Sequence, residues 1–231
     1  MTFKVIDVTG KEYPDSLRRL LGDRRLYAMG NVGLLGQKAI GVCGSRDASA
    51  SALEWAYEFG REAAKHRVVV VSGYARGVDR LAHKGALEGG GATIAVLAEG
   101  IESFRIVKEL KPLVDPSNNF LAVSMFEPDS VWAPWRAMTR NKVIVGLSLG
   151  LLVIEARERG GTINAAFECV RQGKPLWAMD YSRQTAGREG NRKLLAAAAI
   201  PIRHRADLSA ALEAALSRPP EEVRQFALNL L

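Results

Sequence analysis

A chain of 231 residues, 48% of them apolar, can bury a large core as one α/β domain or as one domain with a small appendage. A mean hydropathy of -0.03, with no apolar run near the roughly 18 residues that a span needs, excludes a helical membrane protein. The net charge of +7 favours a polyanionic partner only modestly, because Arg outnumbers Lys by 22 to 10 and genomic base composition alone can produce that bias.

The opening segment, MTFKVIDVTGKEYP, lacks the apolar stretch of a secretion signal, so a cytoplasmic protein is expected. Residues 1–36 read as an N-terminal preface packed on the core, with a helix over 15–21 and a short strand over 26–29. From residue 37 the chain alternates apolar strands with helices. KAIGVCG precedes a helix over 50–65, and RVVVVSG one over 76–88. ATIAVLAEG precedes a helix near 104–110, and NNFLAVS one over 134–147. GLLVIEA precedes a helix over 163–171, and KPLWAMD one over 189–197. These strands are continuous apolar runs, which implies burial on both faces, and their alternation with helices implies right-handed crossovers and a parallel sheet. The expected fold is therefore α/β: a Rossmann-like, doubly wound, mostly parallel sheet over 37–204, with a C-terminal helical segment over 205–231. That last segment reads as a helix, a break at Pro219 and Pro220, and a short amphipathic helix.

In such a sheet ligands bind beyond the carboxyl ends of the strands. Those ends carry Gly44, Ser45 and Arg46; Ser72, Gly73, Arg76 and Gly77; Glu99 and Gly100; Arg157, Arg159, Gly160, Gly161 and Thr162; and Arg183, Gly187, Arg188, Gly190 and Asn191. Glycine lets the backbone approach a ligand, a helix N-terminus offers unpaired N–H groups to an anion, and arginine adds bidentate bonds to phosphate. One glycine-rich turn would signify little. Several on one edge, most with an arginine, point to phosphate binding. None spells a dinucleotide fingerprint or a P-loop.

The blocks GVCGSR, VVSGYARGVDRLAHKGALEGGGATIAVLAEG, RNKVIVGLS, VIEARERGGTINAA and GREGN resemble, in this order and spacing, the DNA-processing protein A family (DprA, also called Smf). The preface segment YPDSLRRLLGDRRLYAMGN is similar to what precedes that family's core, so the resemblance covers roughly 12–200. It implies single-stranded DNA binding in DNA uptake, recombination or processing, without catalysis or cofactor, by a homodimer that in transformable bacteria hands the strand to RecA. It puts Ser45 and Arg46 against DNA phosphates, gives Gly73 and Gly77 the second turn, and sets Arg140, Asn141 and Lys142 at the family's R-N-R stretch. The departures are Lys142 for an arginine, which loses the planar fork, Gly160 and Ala165 for a serine and a threonine, and Ser103-Phe104 for a Tyr-Pro pair. No match to the winged-helix domain of many members follows. A compact or divergent member is expected, and RecA recruitment is the property these departures bear on.

Two other readings stay open. One is a nucleotide-binding or phosphoribohydrolase-like domain, because RGGTINAAFE begins like the P-G-G-x-G-T-x-x-E signature of that group. Ala165 stands three after Thr162, Glu168 lies a turn further on, and Glu155 is read as a structural hydrogen-bonding residue. The other is a protein–protein module of a DNA-handling or defence assembly. Asp79 and His83, one turn apart, read as a tied-down turn and its neighbour. Cys43 and Cys169 are expected as buried free thiols, and the three histidines have no metal-ligand spacing. Trp132 and Trp135 beside arginines make a possible base-stacking platform, with core packing expected for at least one.

Overall fold

A computed structural model describes residues 2–181, 186–197 and 199–217. Arg183, Pro219, Pro220 and the expected final helix lie outside the described residues. The elements run β1 (Lys4–Ile6), α1 (Asp15–Leu21), β2 (Leu26–Gly30), β3 (Ala39–Cys43), α2 (Ala50–Lys65), β4 (Val69–Ser72), α3 (Val78–Glu88) and β5 (Thr93–Val96). They continue with β6 (Phe120–Ser124), α4 (Pro134–Leu147), β7 (Leu151–Val153), α5 (Gly161–Arg171), β8 (Leu176–Met179), α6 (Glu189–Ala196), β9 (Ile200–Ile202) and α7 (Arg205–Ser217).

All nine strands form one sheet in the order β1-β2-β6-β5-β4-β3-β7-β8-β9. From β6 to β9 every neighbouring pair is parallel, whereas β1 and β2 add antiparallel at the β6 edge. The chain builds β3 through β6 outward in one direction and then returns to lay β7 on the other side of β3. The β3/β7 boundary is thus a topological switch point, where the connections leave in opposite directions and a crevice opens.

The apolar runs are buried on both faces. Val69 and Val71 enter one cluster with α1, α4, α5 and α6, while Val70, between them, enters another with α2, α3 and α7. Alternate side chains point to opposite faces, so a strand with a layer of helices on each side must be apolar throughout. A third cluster, Tyr74, Phe104 and Phe120 among it, lies under the connection from β5 to β6.

That connection corrects one expectation. Residues 104–110 form no helix; a single 3-10 turn at Ile101–Ser103 leads into extended chain and further turns. The Tyr74 hydroxyl accepts the Val107 N–H at 3.0 Å, and Phe104 and Leu110 are both buried in the aromatic cluster. Pro112 and Pro116 offer no N–H to continue a helix. Tertiary contacts, not local helical preference, decide this segment.

Candidate functional site: an arginine-lined crevice at the switch point

Three segments meet where β3 and β7 end. The turn after β3 brings Gly44, Ser45, Arg46 and Asp47; the turn after β7 brings Arg157, Arg159, Gly160, Gly161 and Thr162; and α4 with its lead-in supplies a wall of Trp132, Pro134, Ala137, Met138, Asn141 and Ile144. The crevice between them holds about 410 Å³, with Asp79 and Arg140 in its lining. The α4 residues recur at helical spacing, so one face of that helix forms the wall.

The helix N-termini at this edge are not equivalent. On α2, Ser49 caps the helix by accepting the Ala52 N–H at 3.3 Å. The start of α3 holds Asp79, whose Oδ2 accepts the Ala75 N–H at 3.2 Å. On α5 the cap position is Gly160, with no side-chain hydrogen bond to the first turn and φ of 128°. The amides of Gly161, Thr162 and Ile163 start that helix with no carbonyl inside it to receive them, and the helix dipole adds positive potential there. Arg46, Arg157 and Arg159 are exposed and form no ion pair among the described residues. Unneutralised positive charge and an open helix N-terminus therefore share one crevice.

The R-N-R stretch does three different things. Arg140 is buried, and its Nη1 donates to the Val96 carbonyl at 2.6 Å. Burial pushes its pKa down, and the nearby Asp79 carboxylate opposes that most. Burial pushes Asp79 up, with Arg140 the main opposing charge. The two ionisable groups are electrostatic partners inside the fold, so Arg140 faces the crevice only at its edge. Asn141 donates from Nδ2 to the Gly161 carbonyl at 3.0 Å and to Asn164 Oδ1 at 3.1 Å, which ties α4 to the open end of α5. Lys142 is exposed but does not line the crevice, and its carbonyl accepts from Gln172.

The second turn is structural as well. Ser72 is buried and donates to the Val42 carbonyl at 2.7 Å. A Cβ on Gly73 would sit 1.9 Å from Arg140 Nη1, so the close approach that needs glycine is to this guanidinium, not to a ligand. Gly77 has φ of 82°, and a Cβ there would meet the Ser45 carbonyl at 2.4 Å. Arg76 pairs with Asp47 at 2.7 Å on the exposed rim. Thus Gly44, Ser45, Arg46, Arg140, Asn141, Gly160, Gly161 and Thr162 come together, whereas Ser72, Gly73, Arg76, Gly77 and Lys142 stand behind or beside the crevice.

Glu155 is occupied from within. Its carboxylate accepts the Ser49 N–H at 3.0 Å and the Ser49 hydroxyl at 2.5 Å, and Arg188 Nε lies 3.4 Å away. Glu168, also buried, accepts from Arg171 and Gln172. His83 bonds Thr93, not Asp79. Trp132 in the lead-in to α4 and Trp135 in its first turn are both on the surface, at 47% and 59% exposure, which corrects the expectation that one would be core. Cys43 and Cys169 are buried free thiols. Among the described residues no cluster has the make-up of a metal site, and no helix is long and apolar enough to cross a membrane.

Comparison with known proteins agrees with the motif order. DNA processing protein DprA of Bacillus subtilis is 27% identical over 179 residues, 77% of this chain and 60% of that one, so the chain spans less than two thirds of this relative's length. The X-ray structure of DNA processing protein A from Streptococcus pneumoniae superposes with a TM-score of 0.80 at 27% identity, over 91% of this chain and 74% of that one. A structure concerned with single-stranded DNA binding by DNA processing protein A from Helicobacter pylori superposes at 0.79 with 22% identity, over 93% and 97%. Residues 4–213 match the family of DNA recombination-mediator protein A, and the chain belongs to that family.

Proposed function

We propose that the chain binds single-stranded DNA without base specificity, through phosphates held in the β3/β7 crevice. The observation that carries this reading is the convergence of Arg46, Arg157 and Arg159, none in an ion pair among the described residues, on the N-terminus of α5, which has no side-chain cap. Guanidinium groups and helix amides both favour phosphate over any neutral ligand. The relatives named as DNA processing proteins, and the single-stranded DNA binding ascribed to the Helicobacter pylori protein, support the choice of DNA as the polyanion. The backbone binding surface is read as Gly44, Ser45, Arg46, Gly160, Gly161 and Thr162, with Asn141 and Arg140 positioning it. The reading is of a binding protein rather than a hydrolase: position 165 is an alanine, and the Glu155 carboxylate is held by Ser49 and Arg188. On the family resemblance the proposal extends to a homodimer and to RecA as partner, testable by light scattering and by co-precipitation with purified RecA.

The test is a salt titration of oligothymidylate binding. With phosphate contacts dominant, log affinity should fall linearly with log salt, by about 0.7 per phosphate contacted on a single strand. Mixed-sequence strands should bind alike and duplex more weakly. A salt-independent affinity, or duplex bound as well as single strand, defeats the reading.

A further inference from the structure

Trp132 is the residue at the crevice that the fold does not explain. It lies just before the N-cap of α4, is nearly half exposed, and lines the crevice together with Arg46. Its neighbour Trp135 packs edge-on against Phe126, with centroids 6.1 Å apart, and carries the Arg136 guanidinium at 5.0 Å. Trp132 has one aromatic or cationic ring contact among the described residues, the Arg46 guanidinium 5.3 Å from its centroid. An indole offers the largest apolar surface of any side chain, and leaving much of it in water forgoes stabilisation that burial would give.

Resting on the single-stranded DNA reading above, we propose that Trp132 is a stacking platform for a nucleobase of the bound strand, next to the phosphate held by Arg46. The identity of the occupant follows from charge. Arg46 belongs to the indole contact and to the phosphate-binding turn at once, so whatever lies on the ring lies beside an anion site. An apolar patch of a protein partner would desolvate Arg46, Arg157 and Arg159 with nothing to pair them, which is costly. A base tethered to a phosphate satisfies both surfaces. The cation–π contact also holds the ring against the crevice wall before ligand arrives, which lowers the ordering cost of binding. Stacking needs only a π-face, so it adds affinity without choosing among bases.

The experiment compares oligothymidylate with an abasic strand of equal length, on wild type, W132A, W132F and R46A, by anisotropy and by tryptophan fluorescence. W132A should weaken oligothymidylate binding by about five- to 150-fold, keep wild-type affinity for the abasic strand and keep the salt slope. W132F should recover most of the loss, and base-dependent quenching should vanish in W132A. R46A should weaken both ligands. Equal affinity of W132A and wild type for oligothymidylate, with salt dependence intact, overturns stacking and leaves the phosphate reading standing. An equal loss on both ligands overturns it too, because Trp132 would then only hold Arg46 in place. If wild type binds neither strand in a salt-dependent way, the parent reading fails first. Thermal melting of W132A guards against misfolding, which an exposed site should not cause.

Discussion

Arg46 and Arg140 both read from the sequence as phosphate ligands, and their surroundings give them opposite work. Arg46 is exposed, lies over the Trp132 ring and forms no ion pair among the described residues. Arg140 is 6% exposed, donates to the Val96 carbonyl and is the main charge opposing Asp79. Arg46→Ala should therefore weaken DNA binding by about 1–3 kcal/mol, reduce the salt slope and leave the melting temperature unchanged. Arg140→Ala leaves a buried carboxylate without its cation and a carbonyl without its donor, and should lower stability by roughly 1–3 kcal/mol, or about 2–4 °C per kcal/mol for a chain of this size. Titration and melting of both variants check this, and a binding loss in Arg140→Ala at unchanged melting temperature would refute it. The sequence shows that both residues follow the right strands. It does not show depth, because whether a residue of α4 opens on the crevice or is buried beside Asp79 depends on how α4 packs on the ends of β3, β4 and β5.

At the scale of elements, long periodic segments were legible and short edge segments were not. The bounds of α2 and α4 match the sequence reading, since sixteen and fourteen residues of helical pattern leave little latitude. β1 and β9 were missed: each is three residues long, and β9 reads Ile-Pro-Ile, where proline argues against a strand unless it lies at an edge. The end of α4 is read correctly, but what satisfies its last carbonyls is not legible, because the cap comes from a distant residue. Lys174 Nζ donates to the carbonyls of Val145 at 2.6 Å, Gly146 at 3.0 Å and Ser148 at 2.6 Å. A cation at a helix C-terminus satisfies orphan carbonyls and complements the dipole. Burial opposes the charge, pushing the Lys174 pKa down to about 8, so the net gain is less than three ionic hydrogen bonds would suggest. Lys174→Met keeps the apolar stem and removes every donor. It should destabilise by about 1–3 kcal/mol; chemical denaturation measures this, and unchanged stability would show that water replaces the ammonium at no cost.

For the whole molecule, one sheet with helices on both faces sets buried polar groups of one helix layer directly behind its ligand edge. The loops that open the crevice follow β3 and β7, and α3, on the other face, carries both Asp79 and the fully buried His83. The Thr93 hydroxyl donates to the Val70 carbonyl at 2.7 Å, so it accepts from His83 Nδ1–H, and Nε2 is left bare without a partner. Burial, with the Arg140 charge adding to it, pushes the His83 pKa down to about 3 from 6.5. The unfolded chain takes up that proton near pH 6.5 and the folded chain only near pH 3, so the unfolded state binds more protons across the interval. Stability contributed by neutral His83 is complete above pH 6.5 and is lost as the pH falls towards 3. Asp79 acts in the opposite sense, because burial raises its pKa and the folded state holds that proton more tightly. The two are separable by substitution. His83→Gln keeps a donor for Thr93 and cannot ionise, so its melting temperature should fall less than that of wild type between pH 7 and pH 5, whatever its absolute value. Calorimetry at matched ionic strength reads the two slopes, and parallel slopes would mean that the acid sensitivity of this fold arises elsewhere.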